Sequence, residues 1–123
     1  MSTKAIKITY WTTTGIFSAM MLVSAIMYLT VPMMDETFKH LGFPAYFRIE
    51  LAIFKIAGAA VLLVPQFTKL KEWAYAGFFI TLTSAFIAHT ASGDGPKGFV
   101  APLIFAGILF ASYTTRRRLA DSL

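Results

Sequence analysis

The sequence predicts an all-α protein, a four-transmembrane-helix up-down bundle with its N- and C-termini cytoplasmic. Three observations carry that prediction. Hydrophobic residues make up 57% of the chain and charged residues only 14%, against about 25% charged in an ordinary soluble domain. The apolar residues gather into four runs, each closed by proline, a glycine turn or a basic cluster. The basic residues stand at the edges of those runs and mostly on one side. The 123 residues are read as one domain, 1–123, with spans at about 8–31, 45–64, 73–91 and 99–115.

Segment one opens on Tyr10-Trp11, which suit a membrane interface, and Pro32 ends it. Its basic start (Lys4, Lys7) resembles that of a signal peptide, but the apolar run is far longer than an h-region of about 7–15 residues, so it reads as an uncleaved first span. Gly15 and Ala19 form a small-xxx-small pair suited to close helix approach. A loop, 33–44, follows, carrying Asp35, Glu36, Lys39 and His40 and closing on the turn Leu41-Gly42-Phe43-Pro44. Segment two has about 20 residues, enough for the ~30 Å hydrocarbon core, and stops at Pro65. A short basic loop with Lys69 and Lys71 leads to segment three, with Trp73 and Tyr75 as interface residues. Ser92-Gly93-Asp94-Gly95-Pro96 is the next turn. Segment four is expected to be the shortest, with Pro102 in its first turn, a Gly107-xxx-Ala111 small pair, and an end at Tyr113 before Arg116, Arg117 and Arg118.

Four spans put Lys4, Lys7, Lys69, Lys71 and the three arginines on one side. The other side has Lys39 and Lys97, offset by Asp35, Glu36 and Asp94. The positive-inside rule makes the first side cytoplasmic. The same distribution explains the net charge of +5 without nucleic acid as a partner. A soluble bundle would need a polar stripe on every helix, which segments one, three and four lack.

Several kinds of chemistry are excluded by residue type. With no cysteine there is no disulfide, thiol redox centre or thiolate metal site. No phosphate-cradling glycine motif or HExxH is present, no metal site is expected, and two histidines, one of them in a loop, do not suit a bis-histidine haem.

The informative anomaly is segment two, mostly apolar yet carrying Arg48, Glu50 and Lys55. One charge at mid-depth costs about 2.5–3.5 kcal/mol on an insertion scale. Three without partners would cancel the segment's own apolar gain, so another part of the chain must solvate them. At 100° per residue, Arg48 and Lys55 share a face with Ala52 and Ala59, whereas Glu50 lies about 140° away and cannot be an i,i+4 partner of Lys55. Depth places His89 and Asp94, at the far end of segment three, near the level of Glu50. The sequence thus predicts a polar pocket open to the non-cytoplasmic side, with Arg48, Glu50, His89 and Asp94 converging above Lys55 as its floor. Each of these residues also has a structural reading: Arg48 as a snorkelling anchor or partner of a loop carboxylate, Glu50 as a pair for His89, Lys55 as a hydrogen-bonding strut, and His89 as a satisfied polar residue.

Taken together, Tyr10-Trp11, the stretch Leu41 to Tyr46 (LGFPAY), Lys55 with Gly58-Ala59, the stretch Lys71 to Gly77 (KEWAYAG), His89 with Gly93-Asp94, and Ser112-Tyr113 resemble the DoxX-like family of small four-helix membrane proteins. Segment one matches less closely, with Ser24-Ala25 and Tyr28 where the family pattern has Ser-Gly and a lysine. The resemblance implies a bacterial inner-membrane, multi-pass protein and a link to membrane redox systems. Relatives include a subunit of a thiosulfate–quinone oxidoreductase and components of oxidative-stress complexes, while most members have no assigned activity.

Three readings follow. The first is a non-catalytic subunit or small-molecule-binding module, not an enzyme on its own. The second is the membrane subunit of a quinone-linked oxidoreductase, with quinone as cofactor and Lys55 or His89 hydrogen-bonding its carbonyl. The third is a small oligomeric transporter or channel using a Glu50–His89 proton relay. The expected partners are the lipid bilayer, a membrane redox subunit and further copies of the same chain.

Overall fold

The computed structural model describes residues 2–121 and is all-helical: α1 (Thr3–Thr30), α2 (Pro32–His40), α3 (Ala45–Leu63), α4 (Thr68–Ala91) and α5 (Pro96–Asp121). Four long helices form an antiparallel ring, with α1 against α3 and α5, and α4 against α3 and α5; the short α2 lies on α3 and α1. α1, α4 and α5 are long and apolar enough to cross a membrane. α3 is equally apolar in most of its length but carries Arg48, Glu50 and Lys55 within 19 residues.

The helices overrun several expected boundaries. α4 begins at Thr68, so the basic stretch containing Lys69 and Lys71 is helical and only residues 64–67 connect α3 to α4. That connection is tight enough to put Phe67 in the left-handed region at φ 64°. α5 is 26 residues long rather than the shortest element; Pro96 opens it, Pro102 lies inside it, and it continues through Arg116–Arg118. The loop expected over 33–44 holds α2, with Pro32 at its first position and Lys39 and His40 in its last turn. Both placements suit a helix: proline loses no bond at the N-terminus, and a cation suits the C-terminus.

Two helix ends are closed by the same device. At the end of α2, Gly42 (φ 86°) donates to the Lys39 carbonyl and Phe43 to that of Phe38. At the end of α4, Gly93 (φ 75°) donates to Thr90 and Asp94 to His89. These are Schellman motifs, which need a left-handed residue just past the helix and bring the following residue back over the last turn. In α2 the folded-back pair is Phe38–Phe43, with ring centroids 6.1 Å apart. In α4 it is polar, His89–Asp94.

The core is a ring-packed layer at mid-bundle. Phe17 of α1 meets Phe78 of α4 edge to face at 5.0 Å, and Phe78 meets Phe54 of α3 at 5.4 Å. Glycines allow this approach: a Cβ on Gly58 would stand 2.7 Å from the Phe78 ring, and one on Gly77 would stand 2.5 Å from Phe54. α3 and α4 therefore interlock reciprocally, ring over glycine. Below this layer a buried hydroxyl chain joins three helices. Tyr75 Oη is 2.7 Å from Ser112 Oγ, which is 2.5 Å from Thr14 Oγ1.

Tyr10 and Tyr75, expected at the interface, are buried, and Trp73 is the exposed member of that stretch at 65%. The tyrosines lie inside because each phenol finds a polar neighbour there, Tyr75 on Ser112 and Tyr10 beside Thr14. The Gly15 and Gly107 positions, read as helix-contact sites, have open space around them within this chain; between α3 and α4 it is phenylalanine–glycine pairs that make the close contacts.

Cations close the helix ends that lack glycine. Lys71, 3% exposed, donates to the last-turn carbonyls of Val61 and Leu62 at 2.9 Å each, which otherwise have no partner at the end of α3. Arg116 ties α5 to the first turn of α4 through Glu72 Oε1 at 2.6 Å and the Thr68 carbonyl at 3.3 Å.

Gly58→Ala forces the buried Phe78 ring to move and is expected to cost about 1–3 kcal/mol, as overpacking does. It should lower the thermal unfolding midpoint of the detergent-solubilised protein, and Gly58→Ala in a Phe78→Leu background should show a smaller penalty than in wild type.

Candidate functional site

In the half of the bundle beyond the phenylalanine layer, α3 and α4 are no longer locked by glycines and a cavity of about 630 Å³ opens between them. Its α3 wall is Phe47, Glu50, Leu51, Phe54 and Lys55; its α4 wall includes Gly77, Ile80, Thr81, Ser84 and His89. α2 and the turn after it form the roof with Met34, Phe38, Leu41 and Phe43, and Tyr28 of α1 forms the back. The lining is mainly apolar and aromatic, with a few polar groups, as small-molecule sites usually are.

The charges of α3 are handled by three different means. Lys55 is 6% exposed and turns to α1, donating to Ser24 Oγ at 2.9 Å and Tyr28 Oη at 2.7 Å; its nitrogen also lies 4.2 Å from the Tyr28 ring centroid. Ala25, Ala52 and Ala59, all fully buried, keep the α1–α3 seam narrow enough for those bonds. Arg48, on the same face, donates from Nη1 to the Tyr28 carbonyl near the end of α1, and its Nε lies 3.9 Å from Asp35 Oδ1 of α2. It is thus a cap for α1. Glu50 is exposed at the lip of the cavity and has no hydrogen bond or ion pair among the described residues.

A second polar cluster sits at the roof edge. Asp94 accepts from both histidines of the chain, His40 Nε2 on Oδ1 at 2.7 Å and His89 Nδ1 on Oδ2 at 2.8 Å. An ionised carboxylate only accepts, so each facing ring nitrogen carries the proton. These bonds, that from His40 foremost, hold the Asp94 carboxyl below its ordinary value. The clasp joins the end of α2 to the end of α4 and the start of α5. Gly98 makes room for it: a Cβ there would stand 2.7 Å from Asp94 Cβ and 2.8 Å from His89 Nδ1.

The expected constellation of Arg48, Glu50, His89, Asp94 and Lys55 is therefore two clusters and a single residue. His89 and Asp94 are joined, with His40 as the third member. Lys55 and Arg48 are joined through Tyr28, which offers its hydroxyl to one and its carbonyl to the other. The Glu50–His89 pair does not form; His89 gives its Nδ1 to Asp94, because the Schellman turn delivers that carboxylate to the same helix end. Of the five, Glu50, Lys55 and His89 line the cavity. Sequence reasoning missed Ser24, Tyr28 and His40. Ser24 and Tyr28 are an i,i+4 polar pair on the buried face of α1, in phase with Phe17, Met21 and Ala25, and that phase was the available signal. His40 was set aside as a loop residue, and nothing local marks its contact with Asp94, 54 positions away.

Long apolar helices packed around ring–glycine contacts, with a buried lysine solvated by a neighbouring helix, define a helical integral membrane protein. The DoxX-like family model matches residues 12–112, and the chain belongs to that family. No curated protein and no solved structure matches it.

The clasp makes a pH prediction with a definite sign. A carboxyl held below its ordinary value of 3.8 contributes stability that is fully present above that value and is lost as pH falls through the lower, folded-state value. Thermal midpoints should therefore fall on acidification below about pH 4 in wild type and less steeply in Asp94→Asn, which should already be less stable at neutral pH. Equal acid slopes would show that the clasp contributes nothing.

Proposed function

We propose that this DoxX-like protein is a non-catalytic small-molecule-binding module, or a subunit carrying one, and that the cavity between α3 and α4 is its binding site. The observation that carries this is the cavity itself. Its volume, about 630 Å³, lies within the range of ~300–1,000 Å³ typical of ligand sites, and an intramembrane ionisable residue, Lys55, stands at its back. The ordered partners of Lys55 and of the His40–Asp94–His89 clasp speak for a shaped receptor rather than a moving relay. The lining ends at Lys55 and Gly77, against the packed layer of Phe17, Phe54 and Phe78, which counts against a through-channel within one chain.

The same proposal includes four spans and cytoplasmic termini. α3 crosses as the fourth span because the charges that depress its hydropathy are taken up inside the bundle or at its end. Lys4, Lys7, Lys69, Lys71 and Arg116–Arg118 lie at one end of the ring, against Lys39 and Lys97 with Asp35, Glu36 and Asp94 at the other, the bias expected when the first end is cytoplasmic. Because the chain has no cysteine, single cysteines report topology without background. Ser92→Cys should react with an impermeant maleimide on intact cells, and Ser2→Cys only after lysis; the reverse pattern would invert the proposed orientation.

Mass spectrometry of small molecules co-extracted with wild type and with Lys55→Met tests the binding role. A species present with wild type and depleted at least several-fold with the variant is expected. Identical profiles together with unchanged thermal stability would remove Lys55 from any binding role. A co-extracted quinone would shift the reading toward a redox subunit, with the same donors on a quinone carbonyl.

A further inference from the structure

We infer that the ligand of this cavity is a single-chain amphiphile with a carboxylate head, held head-inward against Lys55 and Tyr28, its chain leaving between α3 and α4 into the bilayer. This rests on the cavity being a binding site and adds the chemistry of the occupant and its route.

The head follows from unspent donors at the back wall. The Lys55 ammonium has three N–H donors. Two go to Ser24 Oγ and Tyr28 Oη, both neutral, and Lys55 has no carboxylate partner among the described residues. A buried cation satisfied only by neutral groups has not recovered its desolvation cost, and an anion within reach would recover much more of it. Tyr28 accepts from Lys55, so its own hydroxyl proton is free to point elsewhere, and both side chains line the cavity. One charged and one neutral donor side by side match the two oxygens of a carboxylate.

The route follows from which lining residues are exposed. The roof and turn residues Met34, Phe38, Leu41 and Phe43 are buried or half-buried, whereas Glu50, Ile80 and Ser84 are exposed. These three lie on the facing outer edges of α3 and α4, so the cavity opens sideways. Ile53 and Ile87, exposed at 60% and 58%, continue that edge as an apolar surface suited to acyl chains. The roof, clasped by His40 on Asp94, closes the cavity toward the aqueous side. Such a portal admits molecules dissolved in the bilayer.

Glu50 makes the proposal directional. Its carboxylate at the lip repels an anionic head passing or residing nearby, while Lys55 attracts it, so removing the two charges should have opposite effects. A neutral ligand would feel neither.

The test is equilibrium binding of radiolabelled palmitate and of hexadecanol, equal in chain length, to the purified protein in maltoside micelles. Wild type is expected to bind palmitate about tenfold or more tightly than hexadecanol. Lys55→Met should abolish that preference, Lys55→Arg should keep part of it, and Glu50→Gln should tighten palmitate alone. If Lys55→Met does not fold, Tyr28→Phe decides, since it removes one donor and should reduce the preference severalfold. Ile80→Trp, which narrows the portal, should slow association of both probes. Equal binding of acid and alcohol, or a preference untouched by Tyr28→Phe and Lys55→Arg, would overturn the carboxylate head and leave the cavity as a site for neutral molecules. Binding of neither probe, while Lys55→Met still depletes a co-extracted species, would overturn the amphiphile and keep the binding role. Binding of neither probe with no such depletion would remove the binding role itself.

Discussion

The interaction on which the rest depends is the donation of Lys55 to Ser24 and Tyr28 across the α1–α3 seam. α3 is the long helix that carries three charges among its apolar residues, and the seam takes up one of them inside the bundle. A lysine in an apolar interior is tolerated when polar groups receive its head, and here two hydroxyls one helical turn apart take two of its three donors. The alanines of the seam are part of the same arrangement, because bulkier residues would hold the helices too far apart for bonds of 2.7–2.9 Å. Arg48, one face-repeat earlier, completes the join by capping α1. With α1 fixed to α3 along this line, α3 meets α4 only through its other face, and the cavity is the space left where that face has no glycine to close it.

The polar residues of the bundle fall into groups with separate tasks. Thr14, Tyr75 and Ser112 join α1, α4 and α5 in the half nearest the termini. Lys71 and Arg116 close helix ends there. In the opposite half, His40, Asp94 and His89 hold the roof down. These bonded groups join neighbouring helices, while the walls between are mainly apolar. Glu50 stands outside this scheme, exposed at the lip of the cavity with no hydrogen bond or ion pair among the described residues.

Membership of the DoxX-like family accounts for the architecture and leaves the chemistry to the site. The stretch from Lys71 to Gly77 shows why some motifs in the chain are easy to recognise. Lys71 caps α3, Tyr75 anchors the hydroxyl chain, and Gly77 receives the Phe54 ring. Three structural tasks fall within seven residues. The match of Ser24 and Tyr28 is looser, and those are the residues that face the cavity lysine.

Much of this protein is determined by its sequence alone: the all-α class, the apolar runs, the shared face of Arg48, Ala52, Lys55 and Ala59, and the turn that follows His89. These are local properties, set by composition, by a 100° period, and by glycines at positions where only a left-handed residue fits. The sequence also marks Lys55 as needing a partner. Tertiary structure decided which partner. The distance from Lys55 to Tyr28 spans 27 positions, and that from His40 to Asp94 spans 54; no period or propensity links them. They meet because helix packing is set by side-chain volume at a few contacts, the alanines of α1 and α3 and the phenylalanine–glycine pairs of α3 and α4. Those contacts fix where every polar group of the neighbouring helix arrives, and so turned an expected single constellation into a seam, a clasp and a cavity between them.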